Sequence, residues 1–392
     1  MSFFSWLRNR TSTRAPHGAR QKGPMAPRFR PRLEALEDRW LPSTLTVMNN
    51  QDSGVGSLRA DIAAAQSGDT IVFAPNLNGQ TITLTSGELS ITKGLTIQGP
   101  GAGQLTVSGN NMYRAFEVNA GQPVILSGLR MIGRDTFGAN PLVGGAILNH
   151  TVLTVSGCTI TGHAQLGGGI GNFGTLTVSG CTLIGASASE GSGIFNSTSG
   201  NLTVSASTLS SDSDGGYLSD GGGIYAGGLA TLTNCTLSGN TAGLGGGLFV
   251  AGRATLTNCT LSLNSAGQGG GIYVSPTGNL NLTNTIVARN PGRDIFGAVL
   301  TAKYNLVGDA TGSTGIVNGV DGNIVGGNGH PVINPLLGPL QNNGGPTQTM
   351  ALLPGSLAIG HGNNAFAPAK DQRGFTRLDE LGERTDIGAF EL

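Results

Sequence analysis

The sequence predicts an all-β fold, a parallel β-helix of about ten coils closed at its start by a short helix. Three observations predict it: an internal repeat of about 24 residues, an excess of glycine and a shortage of charge. Glycine supplies 67 of 392 residues and charged side chains only 11%, against a usual charged share of about 25%. The glycines follow no period of three, which excludes collagen. Ile, Leu and Val recur at short intervals, so the chain can bury surface and is not disordered as a whole.

The first element, residues 1–43, is a basic arm. Residues 1–32 hold eight Arg or Lys and no acid, and Pro16, Pro24, Pro27 and Pro31 interrupt them, a composition that supports neither core nor helix. Its apolar run, Phe3 to Leu7, is shorter than the core of a signal peptide. From Trp40 onward 13 basic residues face 19 acidic ones, so the body carries no electrostatic footprint for nucleic acid. No stretch has the roughly 18 apolar residues of a transmembrane segment.

A capping helix over 57–66 follows, because Leu58, Ile62 and Ala65 share one helical face, Ser57 can N-cap it and Gly68 can end it. It would cover the open end of the solenoid, whose strand edges and apolar interior need protection. Alternating β-type sequence continues from Thr70 to Gly133.

The clear repeats come next, within a β-helix expected to span 44–300. Ile147, Ile170, Ile194, Ile224, Leu248 and Ile272 form one column, with spacings of 23, 24, 30, 24 and 24 residues. Leu153, Leu176, Leu202, Leu232, Leu256 and Leu282 are read as a second. Each copy is expected to hold three short strands and three turns, one coil per copy, giving a rod on the order of 50 Å long. Parity demands a bend within the coil: Leu232 and Leu237 both look interior yet lie five residues apart. The slot between them reads Gly157, Gly180, Ala206, Asn234, Asn258 and Asn284, mostly residues that tolerate left-handed backbone. Ser238–Asn240 and the glycine run supply the other two turns. Residues 301–392 are expected to hold the last coils and an irregular region.

The glycines do not form a phosphate loop, since strands rather than a helix follow them and no Lys occurs between Lys93 and Lys303. Cys158, Cys181, Cys235 and Cys259 share a column with Ser207 and Thr285. That mixture points to a slot for a small side chain, and disulfides between Cys158 and Cys181 and between Cys235 and Cys259 are the alternative. No ligand spacing for zinc is present. The tripeptide Asn-x-Ser/Thr at Asn149, Asn196, Asn201, Asn234, Asn258 and Asn281 arises from Asn turns beside Thr strands and signals little.

A polysaccharide lyase or hydrolase on this scaffold needs carboxylates and cations stacked on one face. Between Gly138 and Arg289 only His150, His163, Glu190, Asp212, Asp214, Asp220 and Arg253 are available, and they are read as sharing no column. No catalytic residue is assigned. No cofactor is expected, and the sole metal candidate is calcium at Asp212, Asp214 and Asp220, in the one expanded copy, which lacks a matching Glu. The residue after each Ile places Phe195, Tyr225, Phe249 and Tyr273 up one outer face. This stripe is read as cross-coil stacking, with binding of a glycan or a protein partner as the alternative.

Three stretches resemble known families. Leu33, Glu34, Leu36, Glu37 and Arg39, after the basic arm, resemble the planctomycete extracellular N-terminal motif, which implies export and possible removal of the arm. The Gly-Gly-Ala-Ile form at Gly144 to Ile147, with Asn-rich turns, resembles the repeats of polymorphic outer membrane proteins. That resemblance implies a single-stranded right-handed parallel β-helix, although the usual Phe-x-x-Asn partner motif is not cleanly repeated. Asn334 to Ser356, with Asp371 to Phe375 and Asp386 to Glu391, looks like the choice-of-anchor Q region of bacterial surface proteins, departing from it at Leu357 to Gly362. No hydrophobic tail or sorting signal precedes Leu392, so anchoring is not expected at that end. Together they imply a non-catalytic protein of the cell surface or extracellular space, adhesin-like or structural in the envelope, with envelope polysaccharide or surface proteins as partners. A carbohydrate-active enzyme or glycan-binding module on the same scaffold is the alternative.

Overall fold

The computed structural model describes residues 41–134, 142–213, 219–377 and 384–392. The basic arm and its Leu33–Arg39 motif lie outside them, as does Asp214. Three parallel sheets wind about a common interior, and about nine turns carry strands on all three. The coil that contains Cys235 shows the plan. Leu229–Thr233 lies in the first sheet, Thr236–Ser238 in the second and Leu248–Val250 in the third. Each pairs in register with the strand one coil away, for example Thr231 with Thr203 and Thr255. A continuous stack of buried Ile, Leu, Val and Ala fills the interior.

The turns explain the composition. The bend between the first and second sheets has positive φ at every predicted position: Gly157, Gly180, Ala206, Asn234, Asn258 and Asn284. Leu232 and Leu237, on either side of it, are both fully buried. The turn after the second sheet puts Gly239 at φ 71°. The turn before the third uses its glycines for two reasons. Gly221 has φ 74°, whereas a Cβ on Gly223 would stand 2.6 Å from the Gly247 carbonyl of the next coil. The first glycine therefore serves backbone conformation and the later one serves coil-to-coil approach.

One expected column is corrected. Leu202 pairs with Ala230, and Leu232 pairs with Val204, so Leu153, Leu176 and Leu202 stack on Ala230, Ala254 and Leu280. The physical marker is the bend: Leu232 lies two residues before Asn234, as Val155 lies two before Gly157. Both columns point inward, so the predicted parity holds although the register shifts by two.

The cap forms as Leu58–Ala64, with Ser57 accepting the Ala60 N–H. Leu58, Ile62 and Ala65 are buried. The helix ends at Ala64, and Gly68, φ 96°, lies beyond it. Arg59 ties the helix to Asp52 at 2.6 Å and to the carbonyls of Gly87 and Glu88.

Residues from about 334 onward leave the solenoid. An antiparallel hairpin, Leu337–Gln341 with Thr349–Leu352, starts a tail that lies along the outside of the second sheet. Gln372 Nε2 donates to Thr208 Oγ1, Thr236 Oγ1 donates to Gln372 Oε1, and the Ala389 N–H donates to Thr260 Oγ1. The turn side chains join in: Asn234 Nδ2 donates to the Lys370 carbonyl and Asn284 Nδ2 to that of Asn363. In the bend slot, Asn234, Asn258 and Asn284 donate from their side chains to the tail, whereas Ala206 meets it through its carbonyl, which accepts from Thr347 Oγ1.

The motifs read in the tail form its internal brace. Asp371 Oδ1 accepts the N–H groups of Arg373 and Phe375. The Arg373 guanidinium pairs with Asp371 at 2.8 Å and lies 3.6 Å from the Phe390 ring centre. Arg377, buried, pairs with Glu391 at 2.8 Å and also reaches Asn234 Oδ1 on the solenoid. Burial, then the Asp386 charge, push the Glu391 carboxyl up to about 7 despite Arg377.

Candidate functional site

The third sheet carries the side chains that sequence reading singled out. Phe195, Tyr225, Phe249 and Tyr273 occupy one column, and Phe296 extends it. Their ring centres are 5.2, 5.2, 5.1 and 5.5 Å apart, with interplanar angles of 18°, 7°, 11° and 7°. At the other end Gly171 interrupts the column, and Phe173, two residues further on, meets Phe195 at 6.1 Å and stacks on His150 at 5.9 Å. Sequence reading missed Phe173, His150 and Phe296 because they fall outside the Ile-plus-one position or the clear copies.

This geometry bears on both readings of the stripe. A ring binds the C–H face of a sugar or another ring through its own π face. Here each interior ring has both faces covered by its neighbours, and Phe195 and Phe249 are only 8% and 7% exposed. The rings therefore stack on one another across the coils and leave their edges accessible.

Beside the ladder the structure corrects a second expectation. Leu166, Glu190, Asp220 and Leu244 pair in succession across adjacent coils, so Glu190 and Asp220 do share a column. Each stands four residues before its column Ile, at Ile194 and Ile224. The six-residue expansion of this copy comes before Asp220, and counting forward through it hides the alignment. Burial raises both carboxyls above the usual range, and the Asp220 charge adds to the rise at Glu190. Burial, then these two carboxylates, raise the Tyr225 hydroxyl as well. No ion pair to either acid is found among the described residues.

Of the three proposed calcium ligands, the structure describes Asp212 and Asp220, which stand in different surroundings. Asp220 belongs to the outer column just described, and Asp214 lies outside the described residues. Asp212 is fully buried in a ladder of amide side chains. There the N–H of Asp212 donates to Asn240 Oδ1, that of Asn240 to Asn264 Oδ1, and that of Asn264 to Asn290 Oδ1. Asp212 Oδ1 accepts from the Ala186 N–H, while Oδ2 has no partner. Burial raises its carboxyl well above the usual range. Asp294 closes the far end of this ladder, accepting from the backbone and side chain of Asn290, and burial lifts it to about 6. No group of three metal-ligating side chains occurs among the described residues.

The four cysteines are free and buried. Their column needs more than small size. Cys158, Cys181, Ser207, Cys235, Cys259 and Thr285 each donate to the carbonyl two residues earlier. Three of them also accept an N–H from the preceding coil, as Cys181 Sγ does from Cys158 and Thr285 Oγ1 from Cys259. Cys, Ser and Thr interchange because each has a donor and acceptor at the same atom. Burial, then contact with the Cys235 sulfur, push the Cys259 thiol well up. Four of the six Asn-x-Ser/Thr asparagines, Asn149, Asn196, Asn234 and Asn258, are buried and hydrogen-bonded, and cannot accept a sugar in the folded state.

A family model described as a right handed beta helix region matches residues 144–329. Residues 144–329 are thus a right-handed β-helix region within a parallel β-solenoid of about nine turns. Among solved structures, the crystal structure of pectate lyase Pel9A is similar at 12% identity and a TM-score of 0.48, covering 89% of this chain and 96% of that one. At that level the likeness says nothing of substrate. No curated protein matches. No helix among the described residues is long and apolar enough to cross a membrane.

Proposed function

We propose that this β-helix is a non-catalytic protein of the cell surface or extracellular space, adhesin-like or structural in the envelope. The observation that carries the non-catalytic part is the use of the repeat's chemically able side chains in packing. The rings cover one another, Asp212 and the buried asparagines form ladders, and the thiols bond to backbone. Export is supported by the resemblance of Leu33–Arg39 and of the Asp371–Glu391 tail motifs to those of exported bacterial proteins. Screening the full chain on a polysaccharide and glycan array with product detection tests this reading, and turnover of any polymer refutes it.

A polysaccharide-cleaving enzyme is the second reading, and the stacking of Glu190 on Asp220 favours it. Two carboxyls with raised pKa on adjacent coils can divide acid and base roles. Under that reading any turnover on the array disappears in Glu190→Gln.

A further inference from the structure

The first sheet has an outer face that none of the above uses. Along its strands the third residue of each five-residue segment points outward, and in successive coils it is Thr154, Thr177, Thr203, Thr231 and Thr255, paired in strict register. The same column is threonine at the first three rungs, Thr44 to Thr96, and is broken only by Ile125 before reaching Thr154. Two residues along each strand a second column is serine or threonine at six successive rungs, from Ser156 to Thr283. These side chains are half-exposed or exposed, and the tail's hydrogen bonds fall on the second sheet instead. From Val152 to Thr283 the outward positions of this sheet carry one charge, Arg253, at the strand end.

The result is a two-dimensional lattice of hydroxyl and methyl groups. Its rungs repeat at about 4.8 Å along the rod, and its columns lie about 6.6 Å apart. β-Branching limits each threonine to few χ1 positions, so the lattice is fixed by the backbone. A nearly neutral face gives no attraction to a polyelectrolyte. A flat face also gives a small dissolved molecule no concavity to enter. Exposed hydroxyls gain little by exchanging water for another neutral partner, because the net value of such a hydrogen bond is small. One partner escapes that exchange. Crystalline water is itself a regular array of donors and acceptors, and water bonded to regularly spaced hydroxyls can join the crystal without being displaced.

We propose that the outer face of the first sheet binds ice. The test is nanolitre osmometry and ice-recrystallisation inhibition on the full chain. The expected result is faceted ice growth and a freezing-point depression in excess of the colligative value, rising with protein concentration. Thr203→Tyr with Thr231→Tyr, at the centre of the array, loses most of that excess with an unchanged far-UV circular dichroism spectrum. Ile184→Lys, exposed on the second sheet, retains it. Unfaceted ice at millimolar protein overturns the proposal, as does full activity in the double variant. Retention on insoluble cellulose or chitin without any effect on ice also overturns it, and assigns the lattice to a polysaccharide surface. None of these outcomes depends on whether the protein is catalytic or exported.

Discussion

Replacing Asp212 with asparagine stabilises the protein by an amount that grows with pH. The ladder on the following coils is built from Asn240, Asn264 and Asn290, each of which donates from Nδ2 to a carbonyl of the coil before: Leu209, Leu237 and Leu261. By the same register the carbonyl facing position 212 is that of Leu183. On that register Oδ2 takes the place of the Nδ2 groups and would set an acceptor against an acceptor unless the carboxyl is protonated. Below its ordinary value of 3.8 the group holds a proton in both folded and unfolded chains and contributes no pH dependence. Above that value the unfolded chain loses the proton and the folded chain keeps it. Stability then falls by about 1.4 kcal/mol per pH unit, until the folded carboxyl itself ionises. An amide at this position needs no proton, so the advantage of Asp212→Asn widens with pH for as long as the folded carboxyl keeps its proton. The new side-chain N–H groups add hydrogen bonds worth about 1 kcal/mol each. Urea midpoints at pH 5, 6 and 7 measure the trend. Hydrogen exchange at the Ala186 amide, which donates to residue 212, reports it locally even if the solenoid opens one coil at a time. A stability difference that does not change with pH, or a less stable variant, refutes the reasoning.

Phe249→Ala removes two stacked neighbours and a nearly buried ring, and lowers stability by about 3–5 kcal/mol in chemical unfolding. In the cysteine column Cys259→Ser is tolerated within about 1 kcal/mol. Cys259→Val leaves the Thr257 carbonyl without its donor and costs about 1–3 kcal/mol, checked by thermal melting of the two variants side by side. The native thiols react with a bulky maleimide only after denaturant is added, which mass spectrometry follows. Arg377→Met removes the buried link from Glu391 to Asn234, so limited proteolysis cuts the tail faster while the solenoid retains its circular dichroism.

The coil, its bend and its column of rings were legible because a solenoid repeats the same local problem. Six copies of one slot reveal what the backbone requires there, and the positive φ at Ala206 shows that position outranks residue preference. The two misreadings have one cause. Columns counted from the wrong landmark drift when a copy changes length, and this happened with Leu232 and with Glu190 over Asp220. Counting from the bend and from the Ile repairs both. The stacking of the rings could be expected from their column, but not that their faces would be covered, since that depends on how far apart the coils set them.

By itself the sequence determined the local rules: where glycine or asparagine must turn the chain, and which residues face inward. These are short-range properties, and each is written within a single coil. Tertiary structure decided how the 334–392 segment is used. It returns some 130–160 residues along the chain to cover the second sheet, joining Gln372 to Thr208 and Arg377 to Asn234. No period in the sequence announces that contact. It arises because hydroxyls and amides left over on one face of the solenoid match backbone in a segment whose own sheet is a single two-stranded hairpin. The same choice of face leaves the first sheet's hydroxyl lattice open to water.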